Sequence, residues 1–405
     1  MNLLTQGIEM KAVISTANTK RLSIDNHAQV YSVYKIRLDL LYFNDQNDRI
    51  ATWMSQYKVE HSDEQLESLA RADYNTIIEN FIIKSNEDAI KKTQNNIELI
   101  GQQEAGVVLN DGRIIDGNRR FTCLRNIEQK TGKTQYFEAV ILDHDIRSNE
   151  KQIKLLELML QHGVDKPVDY NPIDRLVGIY NDIVDKQLLT VKEYADSVNQ
   201  SEPDIQREVE KANLMVEYLD FINAPKQFHI IRNMNLNDPL KELNTILKQC
   251  KDNDKREDLK NVVFANFLMQ PQGDMTRYIR KIKKIASNTK FLDDYLAEQI
   301  ATTEKVCDLI EAHPVITDKV INEKIRTQED LKDTFAHSTE KWVSKADGDA
   351  TRNRPAQQAE KAYEMLDTID TNIFRKLNEE QKENVRKCLD QVQETLDKIR
   401  GEIDV

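Results

Sequence analysis

Cysteine is scarce and scattered in this chain: Cys123, Cys250, Cys307 and Cys388 lie far apart, with no CxxC pair and no paired histidines beside them. That spacing excludes a clustered zinc site and a disulfide framework, and each thiol reads as a small buried hydrophobe. Proline and glycine are few as well, eight and eleven in 405 residues. With 39% hydrophobic and 31% charged residues, this excludes a low-complexity chain and favours a helix-rich globular one. No run approaches the roughly 20 apolar residues of a membrane span. The N-terminal MNLLTQGIEMKAVISTANTKRL lacks the continuous apolar core and small-residue cleavage site of a secretory signal, so a cytoplasmic protein without membrane contact is expected. Positive charge is short too: 57 Lys and Arg face 69 Asp and Glu, a net charge of −12. Indiscriminate attraction to phosphate backbones is thereby opposed, and contact with DNA has to come from a local basic patch.

What is present is an α+β pattern followed by helices. Residues 33–43 (VYKIRLDLLYF) alternate as a strand, 107–116 (VVLNDGRIID) read as two short strands around an Asp-Gly turn, and 136–143 (YFEAVILD) read as a third strand. Between the first two, DEQLESLARADYNTIIENFI has apolar residues at helical spacing. After Asp143 the strand signal ends; residues 150–161 and 172–185 carry helical spacing that persists almost to the C-terminus. The expected divisions are an N-terminal extension (1–32), an α+β domain (33–149), a helical domain (150–225), a helical region (226–336), a polar loop ending in proline (337–355) and a C-terminal helical region (356–405). In the last, Val385, Leu389, Val392, Leu396 and Ile399 form a short heptad-like stripe. It predicts either packing on the same chain or an intermolecular coiled coil that would make a homodimer. No internal repeat is visible.

Four of the eleven glycines, Gly101, Gly106, Gly112 and Gly117, fall within seventeen residues of GQQEAGVVLNDGRIIDGNRRFTCLR. DGRIIDGNRR reads as strand, glycine turn and helix start. A helix beginning there presents unpaired N–H groups and the positive end of its dipole, and Arg119 and Arg120 add two permanent charges. That combination suits an anion, above all a phosphate. The alternative is a turn capped by Asp116 or Asn118, with the arginines in surface ion pairs.

These boxes resemble the N-terminal domain of the ParB/sulfiredoxin superfamily, in which a GQ box leads through a strand and a DG turn into a G-x-R-R box opening a helix. Gly101 and Gln102 match the first box, and Gly117, Asn118, Arg119 and Arg120 the second. The resemblance implies that these six residues line a nucleotide-phosphate pocket for CTP or ATP. The DG-x-R form is also similar to boxes of proteins in DNA restriction and modification systems. Downstream, residues 171–215, beginning NPID, resemble the ParB segment that enters a helix-turn-helix, with Ala195, Asn199 and Ile205 at its small, turn and apolar positions. The implied fold is a ParB/sulfiredoxin-like N-terminal domain, a helix-turn-helix-like helical domain and a mostly α-helical C-terminal half.

The chain departs from the pattern in four places, the mildest being Ala105 where the family often has proline. Where the family has E-N-x-Q-R, this sequence has Leu158, Met159, Leu160, Gln161 and His162, with Glu157 one residue away, which predicts little CTP hydrolysis. Asn118 occupies the position of the sulfiredoxin cysteine, and Cys123 reads as a packed helix residue. The recognition-helix segment is acidic, which predicts either a fold kept without its DNA contact or a reader that uses Gln206 and Arg207. Further cationic support is expected from MTRYIRKIKKIA (275–286), where Arg277, Arg280, Lys281 and Lys284 share one helical face. A solvated face paired with acidic surface is the alternative.

Three functions follow as expectations. The first is a nucleotide-responsive, DNA-associated protein of a bacterial or mobile-element system, with phage defence the biological setting that the resemblance suggests. The second is a nuclease or phosphotransferase using Glu104 or Asp116 as magnesium ligand or base. The third is a scaffold that binds a protein partner through its helical half.

Overall fold

The computed structural model describes residues 2–24, 27–61, 66, 68–143, 150–162 and 171–403. Strands β1 (Val13–Ile24), β2 (His27–Arg37), β3 (Gly106–Leu109), β4 (Ile114–Asp116) and β5 (Tyr136–Leu142) form one sheet in the order β1-β2-β5-β3-β4. Among these strands only the β3–β5 pair is parallel. The period of two along the strands sorts the core into two layers. Val108, Ala139 and Ile141 face one cluster with Phe43, Ile78 and Phe121, while Val107, Leu109, Val140 and Leu142 face another with Ile153 and Leu156. The first layer is covered by helices α1 (Ala51–Glu60), α2 (Arg71–Ser85), α3 (Glu87–Ile100) and α4 (Asn118–Thr131). The second is covered by α5 (Glu150–His162). The fold is α+β, with strands confined to residues 13–142 among the described residues.

Two expectations at the N-terminal end are corrected. Residues 1–32 are no mere extension, because β1 and most of β2 lie within them and form the edge hairpin of the sheet. The strand expected at 33–43 ends at Arg37; Leu38–Leu40 turn as a 3-10 helix, and Tyr42 makes an isolated bridge to Arg113. The alternation of RLDLLYF misleads there, because Leu38, Leu40, Leu41 and Phe43 are all buried rather than alternately exposed. Of the segment 63–82 expected as helix, Leu66 and Ser68 are helical and α2 covers the rest from Arg71; residues 63–65 and 67 lie outside the described residues, as does the expected boundary at 149.

Helix α5 is followed by α6 (Pro172–Ile179), α7 (Val191–Ser197) and α8 (Glu202–Phe221). Asn171 caps α6 through Ile173 N–H, with Pro172 in its first turn. Asp174 reaches back to accept from Thr52 N–H at 2.9 Å, joining the helical region to the start of α1. Helices α7 and α8 make the expected helix-turn-helix, with Ala195 and Ile205 buried at the crossing and Asn199 at φ 53° in the turn. Helices α9 (Phe228–Asn233), α10 (Asn237–Gln249), α11 (Asn253–Met269), α12 (Met275–Ala286) and α13 (Thr289–Glu311) close around one large apolar core.

The polar stretch 337–355, expected as a loop, is helical within α14 (Glu329–Asp367). Its Asp-Gly and proline signals lose to packing: Phe335, Thr339 and Trp342, at helical spacing, are buried, and Glu298 accepts from Ser338 Oγ at 3.0 Å and Trp342 Nε1 at 2.9 Å. Residues 1–343 and 344–405 are two compact units. The second carries α15 (Glu379–Ile403), on which Leu389, Leu396 and Ile399 of the heptad stripe are 44%, 41% and 52% exposed. Cys123 and Cys250 are buried as expected, whereas Cys307 is half-buried and Cys388 is exposed.

Candidate functional site

Strand β4 ends at Asp116, Gly117 turns at φ 104°, and α4 begins at Asn118. The glycines of this region make room mainly for the protein itself. A Cβ on Gly117 would stand 2.6 Å from the Phe137 ring and 3.1 Å from Arg120, and one on Gly106 would stand 2.3 Å from the same ring. Gly101 ends α3 at φ 76° in open space. The sequence therefore needs glycine at 106 and 117 to seat Phe137 between β3 and the turn, a packing cause rather than a ligand's approach.

The first turn of α4 sends its two arginines to different places. Arg120 Nη2 donates to Asp116 Oδ2 at 2.9 Å, and Lys20 Nζ stands 3.6 Å from that oxygen while donating to the Ala105 carbonyl. Arg119 instead lines a recess with Asn47, Arg49, Ile82, Ser85, Asn86 and Asn118. Burial and the nearby Arg49 charge push the Arg119 guanidinium below its ordinary range. Among the described residues it forms no ion pair or side-chain hydrogen bond. Asn118 is 8% exposed, and its Oδ1 likewise has no hydrogen-bond partner. The recess measures about 20 Å³, room for one oxygen-sized group. This is a helix N-terminus with two guanidinium groups and a ring of amide and hydroxyl side chains.

Of the other residues singled out by sequence, Gln102 has its amide committed elsewhere. Its Nε2 donates to the carbonyls of Glu138 and Glu104, and its Oε1 accepts from Glu138 N–H at 2.9 Å, extending the sheet edge. Glu104 is exposed, and Asp116 already holds two cations. A magnesium ion shared by this pair would have to displace the Lys20 ammonium. Among the described residues, no group of three or more His, Cys, Asp or Glu side chains could hold a metal.

On the helix-turn-helix, Gln206 and Arg207 are exposed, and Arg207 pairs with Asp204 on its own helix. On α12, Tyr278, Ile279, Ile282 and Ile285 are buried and the basic face lies outward. Arg280 pairs with Glu242 at 2.8 Å, Lys281 donates to Gln272 at 3.0 Å, Arg277 lies 3.8 Å from Asp274, and Lys284 is exposed.

Sequence reasoning missed a buried cluster of charges centred on a lysine. Lys154 on α5 donates to Asp48 at 2.7 Å and lies 3.3 Å from Asp182 and 3.9 Å from Glu157. Burial alone would lower this lysine, but the three carboxylates outweigh it and hold it well above its ordinary range. Burial pushes Glu157 up to about 8 and Asp182 up to about 7. Gly178 leaves space for Asp48, since a Cβ there would meet its carboxylate at 2.6 Å. The cluster lines a cleft of about 390 Å³ whose wall also includes Asn47, so cleft and recess meet at the turn 47–50. The available signal was Lys154, Glu157 and Gln161 at helical spacing inside the apolar run IKLLELMLQ. Glu157, the nearest acid to the altered third box, is spent on this cluster and on Gln161, which donates to it at 2.9 Å.

No family model matches the sequence, and no curated protein matches it. Among solved structures it is similar to the C-terminally truncated chromosome-partitioning protein ParB from Caulobacter crescentus complexed with CTP-gamma-S. The match has 12% identity, covers 62% of this chain and 98% of that one, and has a TM-score of 0.19. A superposition this loose assigns no residue of one chain to a residue of the other. Among the described residues, no helix is long and apolar enough to cross a membrane.

Proposed function

We propose that this chain is a ParB-like, nucleotide-responsive protein of the bacterial cytoplasm or a mobile element, associated with DNA, in which a phosphate binds at the start of α4. One observation carries the reading: Arg119 stands in the first turn of a helix beside a second guanidinium, with no carboxylate paired to it among the described residues. Partial desolvation and like charge both destabilise that arrangement, and an anion offsets both. The recess admits one oxygen, so a nucleotide enters by a phosphate oxygen between Arg119 and Arg49 while its remainder stays at the mouth. CTP or ATP supplies such a group, and magnesium would travel with the phosphates. Arg120, in contrast, fixes the turn through Asp116.

The response follows from the turn 47–50. Asn47 and Arg49 line the recess, while Asp48 between them holds Lys154 of α5. A phosphate that moves this turn alters the Asp48–Lys154 contact, and with it the seating of the helical region. Calorimetric titration of CTP, ATP, GTP and ADP, with and without magnesium, tests the reading. Binding by the parent and its loss in Arg119→Ala is the expected result; no binding by any nucleotide, or equal binding by the variant, overturns it. The scaffold reading draws on a separate observation, the exposed stripe of α15, which would take a protein partner or a second copy. The enzymatic reading needs the Glu104 and Asp116 pair, and Mg- or Mn-dependent nuclease and nucleotidase assays on Asp116→Ala and Glu104→Gln test it.

A further inference from the structure

A second cavity, unrelated to the phosphate recess, lies among α8, α11 and α13 and has a volume of about 340 Å³, at the small end of ligand pockets. Its apolar part is Phe221, Val262 and Ile300, and its charged part is Asp258, Glu304 and Asp308, with no basic residue in the lining. The order along the helices builds this polarity. Ile300, Glu304 and Asp308 follow at steps of four on α13, and Asp258 precedes Val262 by four on α11, so on each helix an acid adjoins an apolar residue one turn away. Glu304 and Asp308 repel one another at that spacing. Among the described residues, none of the three carboxylates forms an ion pair. The base nearest in sequence on α11, Lys260, is held by Glu217 and Glu257 at 2.7 Å each.

Thr303 supplies an independent sign. It lines the cavity and is 7% exposed, yet its Oγ1 has no hydrogen-bond partner. A helical threonine ordinarily satisfies its hydroxyl on the carbonyl three or four residues back. Here the hydroxyl is left as an unused acceptor in a buried position beside the carboxylates. Burial first, and then Glu311, Asp308 and Glu304, raise the Cys307 thiol in the same lining.

We infer that this cavity binds an aliphatic cation, an ammonium or guanidinium group carried on an alkyl chain. The charged end meets Glu304, Asp308 and Asp258 and donates to Thr303 Oγ1, while the methylenes lie on Ile300, Val262 and the Phe221 ring. Such a group comes from a free polyamine or from a basic side chain, and two probes separate these sources. The full-length protein is titrated calorimetrically with spermidine and, separately, with N-acetyl-arginine amide at physiological salt. Saturable binding of at least one probe at a single site is expected. Glu304→Gln/Asp308→Asn should weaken it about tenfold, and Thr303→Val, which adds no charge change, about fivefold. A control pair on exposed positions of the other unit, Glu364→Gln/Asp367→Asn, should leave it unchanged. Binding of spermidine alone identifies a polyamine, and binding of the arginine amide alone a side chain. Saturable binding by neither probe overturns the inference. So does an equal loss in the control pair, which would mean attraction to net charge, or full binding in Thr303→Val with the groove pair unfolded by circular dichroism.

Discussion

Replacing Lys154 with methionine tests how the buried charge cluster holds the first unit together. The substitution keeps the side chain's length and removes the one cation shared by Asp48, Glu157 and Asp182. Stranding a buried partner costs about 3–5 kcal/mol. The loss should also depend on pH. In the folded chain Glu157 titrates at about 8 and Asp182 at about 7, both far above their ordinary carboxyl ranges. Between those ordinary ranges and the raised values, the folded state holds protons that the unfolded state has released. The stability tied to these two groups is therefore fully present below their unfolded pKa values and declines as pH rises to about 8, by up to about 1.4 kcal/mol per pH unit for each proton. At pH 5 both carboxyls are mostly protonated in the folded state, so removing Lys154 strands fewer charges than at pH 8. Urea unfolding of parent and variant at the two pH values, followed by the emission of Trp53 and Trp342, measures the difference. A loss under about 1 kcal/mol, or a loss equal at both pH values, would refute the assignment of a buried, cation-dependent cluster.

Three further outcomes follow from the same geometry. Arg119→Ala should abolish nucleotide binding with unfolding unchanged, whereas Arg120→Ala should retain binding and cost about 0.5–1 kcal/mol of stability through its half-exposed partner Asp116; calorimetry and urea unfolding separate the two. Gly117→Ala, placed at φ 104° and 2.6 Å from the Phe137 ring, should destabilise by about 1–3 kcal/mol, read by thermal unfolding. Changing Lys281, Lys283 and Lys284 to glutamine should flatten the salt dependence of whatever duplex DNA binding the protein has, by about one unit of slope for each phosphate no longer neutralised; a filter-binding series in increasing salt checks it, and an unchanged slope would move the DNA-binding surface elsewhere.

The parts legible in the sequence were those whose cause is local. The pair of strands around Asp111-Gly112, the strand at 136–142, the apolar periodicity of α5 and the tight crossing at Ala195, Asn199 and Ile205 each rest on residues a few positions apart. What escaped has a distant cause. Strand β1 buries little beyond Val13 and Leu22 and is held by its pairing with β2, so its sequence alternates too weakly to announce a strand. Residues 337–355 carry local turn signals, yet Phe335 and Trp342 bury on the helical core and carry the helix onward. Arg49 meets Arg119 only because the turn 47–50 folds against the start of α4, seventy residues later. The spacing of the GNRR box could show two cations and a helix start; it could not show that the two diverge.

That divergence gives the two arginines separable work. Arg120 is spent on Asp116 beside Lys20, closing the end of β4 onto the helix it precedes. Arg119, left without a carboxylate among the described residues, is destabilised by its own burial and by Arg49, and the turn that brings Arg49 also brings Asp48 to Lys154. An anion accepted in the recess would meet Asn47 and Arg49, the neighbours on either side of the Asp48 that holds Lys154. Because a packed cluster of paired charges does not deform gradually, a small shift of residues 47–50 would favour one arrangement of Asp48, Lys154 and Asp182 over another. Under the proposed phosphate binding, the route to the helical region would need no long chain of intermediaries: it would be one turn of backbone, with Arg49 lining the recess and Asp48, the residue before it, holding Lys154.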